Sequence, residues 1–325
     1  MTTLITGAGI IGCHTARLLA GRGESSILLD LRPARDAISS IVQHPLVQVM
    51  TGDVTDFALL QTLARTHGVQ RIVHTAALLS TAIRQNPLEG IRVNVMGTAN
   101  VLELARQLRL SRVVIASSTT VGYPTFGDFH GQTVPEDFEM NFLKHRPTSI
   151  YGGTKAAGEH LSLLYRDLYG IRVVVLRYAA VISAWSGPGT SVPGKVLSCL
   201  LGPARSGVTA VIDDPHVVWK GGEEFIDARD CALANLAALD AAAPTQGVYH
   251  IGLGSLATFD EFVDAVRALH PRLQVQLAVT PAAGFAGFPH IRTAASDISA
   301  AARELGWAPR YPLADAVRHF APLLA

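Results

Sequence analysis

Two side chains stand out as a pair that could move a proton. Tyr151 and Lys155 lie four residues apart in a stretch with helical apolar spacing, so both project from one helix face toward one ligand. A phenol with an ordinary pKa of about 10 is a poor base at neutral pH, but a nearby ammonium stabilises its phenolate. Such a phenol can take a proton from an alcohol or give one to a ketone. In isolation, the same spacing would suit an ordinary amphipathic surface pair.

A second cluster is a glycine turn, Thr6-Gly7-Ala8-Gly9-Ile10-Ile11-Gly12, set between an apolar run at Leu4–Thr6 and an amphipathic stretch at Ile10–Arg22. Glycines there permit a tight turn and let backbone amides approach a pyrophosphate at a helix N-terminus. Gly7, Gly9, Ile10, Ile11 and Gly12 are therefore candidate cofactor residues. Asp30 ends the next apolar run at the distance expected of a carboxylate that binds both adenosine ribose hydroxyls. A 2′-phosphate would meet it as a like charge, so NAD is expected over NADP, and Arg32 is the neighbouring cation that could oppose that preference.

The elements that must position these groups follow from short β-branched runs alternating with amphipathic stretches. Strands are expected at Leu4–Thr6, Ile27–Asp30, Val47–Met50, Arg71–His74, Val113–Ala116 and Arg172–Leu176. Helices are expected at Ile10–Arg22, Phe57–His67, Asn86–Leu108 and Tyr151–Tyr169. The pattern predicts an α/β protein built on a doubly wound parallel Rossmann sheet. After Tyr178 it becomes irregular and rich in Gly and Pro, which predicts a smaller mixed C-terminal lobe that contacts substrate. The long segment Tyr123–Ile150 is a candidate cover for the site.

With these motifs in place, the chain resembles the extended short-chain dehydrogenase/reductase group, the NAD-dependent epimerase/dehydratase family. The resemblance runs through Gly52-Asp53-Val54-Thr55-Asp56, His74-Thr75-Ala76-Ala77, Asn94-Val95-Met96-Gly97-Thr98, Ala116-Ser117-Ser118-Thr119-Thr120-Val121, Tyr151-Gly152-Gly153-Thr154-Lys155, Leu176-Arg177-Tyr178, Phe225–Asp230 and Glu304-Leu305-Gly306-Trp307. The glycine turn is one residue shorter than is usual in that group. The resemblance implies Ser118, Tyr151 and Lys155 as the catalytic set, with Ser118 orienting the reacting oxygen and Lys155 also reaching the nicotinamide ribose. Ser117 and Thr119 are hydroxyls one register away. It places Asp53 and Val54 at adenine, Thr75, Ala76, Ala77 and Leu79 along the middle of the cofactor, Asn94 behind that wall, and Tyr178 at the nicotinamide. Residues 1–178 would then form the NAD-binding domain with the catalytic set, and residues 179–325 mainly the substrate lobe, with some chain returning to the first domain.

Function is narrowed but not fixed. Dehydratases of the family carry an Asp-Glu pair where this chain has Thr119 and Thr120, which cannot supply acid and base for water loss. Epimerases acting on nucleotide sugars carry an Asn and an Arg where this chain has Ala180 and Glu223. The expected function is reversible oxidation of a secondary alcohol on a small polar, carbohydrate-like molecule, with a sugar or nucleotide-sugar epimerase as the alternative and a non-catalytic NAD sensor third. Glu223 or Glu224 could accept substrate hydroxyls, unless Glu223 is exposed on the Gly221-Gly222 turn. Lys144, His145, Arg146, Lys195, Arg205 and Lys220 are further candidates for binding an anionic group.

The whole chain bounds these readings. It has 325 residues, 27 basic and 26 acidic side chains and a formal charge of +1, so no overall field draws it to nucleic acid or an acidic membrane. Cys13, Cys199 and Cys231 are widely spaced, without a metal-like pattern, and are expected to be inert buried thiols in a reducing compartment. Met1 leads into no long apolar run, so a cytoplasmic enzyme is expected. By family resemblance a homodimer is expected.

Overall fold

A computed structural model describes residues 1–129, 131–182, 184–188 and 191–324. Strands β1 (Thr2–Thr6), β2 (Ser25–Asp30), β3 (Val47–Thr51), β4 (Val69–His74), β5 (Arg112–Ser118) and β6 (Val173–Tyr178) form the main sheet. The next strands, β7 (Ala180–Ile182), β8 (Ala210–Ile212) and β9 (Phe225–Asp227), lie outside it. Then β10 (Val248–Ile251) returns to the main sheet, and β11 (Val275–Leu277) does not.

The main sheet has the order β10-β6-β5-β4-β1-β2-β3, and every pairing is parallel. Its runs of Val, Ile and Leu are buried on both faces because crossover helices cover both. Strand order reverses between β1 and β4. In a doubly wound sheet the crevice beyond the carboxyl ends of two such strands is where ligands bind.

The expected helix over Asn86–Leu108 is instead three pieces: Pro87–Ile91, a π-helical turn at Arg92–Met96, and Gly97–Leu108. The extra residue of a π turn re-aims a side chain. Here the buried Asn94 amide spans to the backbone N–H and carbonyl of Leu78 and to the Thr154 hydroxyl, at 2.8, 3.1 and 3.1 Å.

The second lobe carries two small parallel pairs, β7 with β9 and β8 with β11. Its core is aromatic: Trp219 meets Phe225, Phe259, Phe262 and Phe285 at ring separations of 5.1–5.9 Å. Among the cysteines, Cys13 and Cys231 are buried, but Cys199 is exposed on the Val192–Ser206 helix, which corrects that expectation. No described helix is long and apolar enough to cross a membrane.

Candidate active site

A cleft of about 520 Å³ opens at the β1/β4 switch point. It is lined by Gly7, Gly9, Ile10, Ile11, Gly12, Asp30, Thr75, Ala76, Ala77 and Leu79 at one end and by Ser118, Tyr151, Lys155 and Tyr178 further along. Residues chosen from sequence far apart in the chain therefore share one concave surface.

Two of the three glycines in the turn, Gly7 and Gly12, have a steric reason. Gly7 takes φ +90°, and a Cβ there would lie 2.7 Å from the Ala76 nitrogen. At Gly12 a Cβ would meet the Gly7 carbonyl oxygen at 2.1 Å, so the helix could not seat against the strand. A Cβ at Gly9 would meet nothing within 4 Å, leaving its backbone open to the cleft. No side chain caps the Ile10–Gly21 helix at its N-terminus. These features fit a dinucleotide pyrophosphate. Asp30 accepts from the Ala8 and Arg32 amides, both at 2.9 Å, so it braces the turn as well as facing the cleft.

Asp53, Val54 and Asn94 are not among the lining residues. Asp53 accepts from the Thr55 amide and hydroxyl and pairs with Arg92, while Val54 is buried against Gly97. Asn94 stands behind the wall and holds Leu78, which does line the cleft.

Tyr151 and Lys155 lie on the Ile150–Tyr169 helix, whose N-cap Ser149 accepts from the Gly152 amide. Lys155 Nζ donates to the Ala116 carbonyl at 2.8 Å, which ties the helix to the end of β5, and lies 5.8 Å from the Tyr151 ring centre. Burial pushes the Tyr151 phenol up to about 12, opposed by a hydrogen bond with Ser118. Burial also lowers the Lys155 ammonium to about 8, opposed by the Glu159 carboxylate one turn on. Glu159 is itself held by Arg177 at 2.7 Å and by the Ser117 hydroxyl. Thus Ser117 serves this buried ion pair, whereas Ser118 is the hydroxyl that meets Tyr151. Tyr178 donates to Asn235 at 2.6 Å.

The far end of the cleft was not legible beforehand. Tyr123, Trp185, Pro188, Phe285, Ala286 and Phe288 form it. Within the described part of Tyr123–Ile150, Tyr123 is the residue that lines the cleft. None of Lys144, His145, Arg146, Lys195, Arg205 and Lys220 lines the cleft, and Lys144 pairs with Asp128 at 2.7 Å. Glu223 and Glu224 are neither exposed nor lining, being 1% and 0% exposed and bound to Arg292. The Gly-rich turn beside Glu223 hides it because Gly222 bonds back to Arg292 and Glu223 to Ala257.

Comparison with known proteins agrees with this geometry. The family model described as NAD dependent epimerase/dehydratase family matches residues 3–252. UDP-glucuronate 4-epimerase 4 of Arabidopsis thaliana is 27% identical, over 98% of this chain and 74% of that protein. UDP-glucose 4-epimerase of Halalkalibacterium halodurans is 28% identical, over 96% and 92%. Among solved structures, L-threonine dehydrogenase from Cupriavidus necator (holo form) is similar with a TM-score of 0.80 and 26% identity, over 100% of both chains. UDP-glucuronic acid 4-epimerase from Bacillus cereus, in complex with UDP-glucuronic acid and NAD, has the same fold at a TM-score of 0.79 and 23% identity, over 100% and 99%. With its Rossmann sheet, its glycine turn and a family match over most of its length, the chain belongs to the NAD-dependent epimerase/dehydratase family and is an enzyme that uses NAD.

Proposed function

We propose that the protein reversibly oxidises the secondary alcohol of a compact polar substrate, with Tyr151, Lys155 and Ser118 as its catalytic residues. Bound NAD supplies the hydride acceptor. Ser118 holds the substrate hydroxyl, Tyr151 takes its proton, and the Lys155 ammonium favours the phenolate and binds the ribose. Gly7, Gly9, Ile10, Ile11 and Gly12 cradle the pyrophosphate, and Asp30 takes the adenosine ribose.

The observation that carries the substrate reading is the charge of the lining. Lys155 is the only basic residue among the described lining residues, and it belongs to the catalytic set. Arg292 is committed to Glu223, Glu224, Ser296 and the Ala294 carbonyl. A diphosphate carries about two negative charges and meets no free cation among the described lining residues beyond the catalytic set. Ala180, where related epimerases have Asn, is at the cleft and offers no amide.

A UDP-sugar 4-epimerase is the second reading. It is favoured by relatives named as such that align with 98% and 96% of the chain, which is stronger support than sequence gives to any one dehydrogenase substrate. Calorimetric titration of the NAD-loaded enzyme with UDP, UDP-glucose and UDP-glucuronate separates the two. We expect weak binding, together with NADH formation from small alcohols that Tyr151→Phe slows by about two or more orders of magnitude. Tight binding of UDP with epimer formation would replace this reading by the second.

A further inference from the structure

The far end of the cleft differs from the reacting end in what it offers a ligand. Ser118, Thr120, Tyr151 and Lys155 supply polar groups at the reacting end, where the buried Thr120 hydroxyl has no partner among the described residues. Beyond them stand Tyr123, Trp185, Pro188, Phe285 and Phe288. The side-chain polar atoms of these residues are committed to the protein, and so is the backbone of Phe288. The Tyr123 hydroxyl donates at 2.9 Å to Glu223, which does not line the cleft, and Trp185 Nε1 donates to the Pro188 carbonyl at 3.1 Å. Phe288 donates its N–H to the Phe285 carbonyl at 3.1 Å and accepts from the Gly284 N–H at 2.8 Å. Ser191, also in the lining, donates to the Val181 carbonyl and accepts from the Gly194 N–H, both at 3.2 Å. What these side chains leave for a ligand is carbon. A polar group placed against them would give up water without regaining a hydrogen bond, whereas a hydrocarbon group gains by leaving water.

The fold fixes this wall from behind. Phe285 packs on Trp219 and Phe225 of the second-lobe core at ring separations of 5.1 and 5.6 Å, and Phe288 meets Tyr123 edge-on at 5.1 Å. Between Phe285 and Phe288, the lining residue Ala286 takes φ +58° and ψ +21°, a left-handed conformation that is strained for a residue with a Cβ. Such strain persists only where the surrounding contacts impose it, and here they hold two rings of the lining in place. The Trp185 indole packs on its own turn, where a Cβ at Gly187 would lie 2.3 Å from Trp185 Cζ2.

We propose that this end is a hydrocarbon-binding subsite, and that the substrate is a secondary alcohol bearing an apolar ring on the carbinol carbon. A ring suits an aromatic wall because edge-to-face contacts add to the burial of its carbon. The subsite rests on the dehydrogenase reading and gives that substrate two ends, polar at the carbinol and apolar beyond it. The carbinol C–H leaves as hydride to NAD and the hydroxyl proton passes to Tyr151, giving a ketone and NADH with the ring unchanged.

The test uses two alcohols of one shape, 1-cyclohexylethanol and 1-(oxan-4-yl)ethanol, in which one ring methylene is replaced by an ether oxygen. Each is titrated calorimetrically into the NADH-loaded enzyme. The carbocycle is expected to bind about tenfold more tightly, since the ether oxygen loses its water at a wall whose side-chain donors are already used. Phe288→Asn and Trp185→Gln, each of which puts an amide in the wall, should shrink that ratio toward one. Equal binding by the wild type, or tighter binding of the ether, overturns the subsite whether or not the variants fold, as does a wild-type ratio that both variants leave untouched. NADH formation is followed in parallel on NAD-loaded enzyme. Preferential binding of the carbocycle without oxidation of either alcohol keeps the subsite and overturns the dehydrogenase reading. Oxidation of both with equal affinity does the reverse.

Discussion

In the proposed mechanism Tyr151 has to lose a proton at a pH well below the value of about 12 to which burial raises it, and Lys155 is the charge at hand to help. That charge is itself weakened, since burial lowers the ammonium to about 8. Below that pH the phenolate fraction grows about tenfold per unit while Lys155 stays cationic; above it Lys155 loses its proton and the phenolate loses its partner. The kcat/KM for alcohol oxidation, which reports the free enzyme, is therefore expected to rise with pH and flatten near 8, measured by initial rates from about pH 6 to about pH 10. A slope that continues unchanged beyond about pH 9 would separate the Lys155 charge from the Tyr151 proton. Tyr151 and Lys155 were legible because four residues on a helix are one spatial step. Tyr123, Glu223 and Arg292 were not, because the contacts that define them span 100 and 69 positions. Read locally, Glu223 beside two glycines looks like a solvated turn residue, and only the fold brings Arg292 to it.

At the level of elements, β1, β2 and β6 were readable because both of their faces are buried, which enforces runs of Val, Ile and Leu. The exception is β10, a four-residue strand that carries Tyr249 and His250 and has no such run, yet pairs with β6 along its whole length. The π turn at Arg92–Met96 was hidden for a different reason: inserting a residue leaves the apolar period nearly intact, and the Asn94 contacts that it serves lie 16 and 60 positions away. The glycine turn allows a test in which fold and ligand binding part company. A methyl at Gly12 collides with the Gly7 carbonyl, whereas a methyl at Gly9 meets no protein atom within 4 Å and projects from a residue that lines the cleft. Gly12→Ala is expected to destabilise the protein by about 1–3 kcal/mol as well as weakening NAD. Gly9→Ala should leave the urea midpoint unchanged and raise the Kd for NAD by about tenfold or more. Unaltered NAD affinity in Gly9→Ala would mean that the cofactor does not approach that backbone.

Across the whole molecule, the late part of the chain returns to brace the early part at the cofactor end. Asn235, on the Ala228–Asp240 helix, donates to Thr15 Oγ1 at 3.0 Å on the Ile10–Gly21 helix and accepts from Tyr178 at the end of β6. One fully buried amide thus links three elements drawn from both halves of the sequence, and one of its partners lines the cleft. Asn235→Leu keeps much of the volume but removes both hydrogen bonds. Thr15 retains its bond to the Ile11 carbonyl, so the unpaired group is the buried Tyr178 hydroxyl. Leaving one such group without a partner costs about 1–3 kcal/mol. If Tyr178 also contacts bound cofactor, its loss of position lowers NAD affinity, and saturating NAD should then recover less stability in the variant than in the wild type at equal concentration. Urea unfolding of both proteins with and without NAD measures the two effects together. A lower midpoint with the full NAD increment retained would make Tyr178 a support of the cleft wall rather than a cofactor contact, and an unchanged midpoint would remove Asn235 from the link between the two halves.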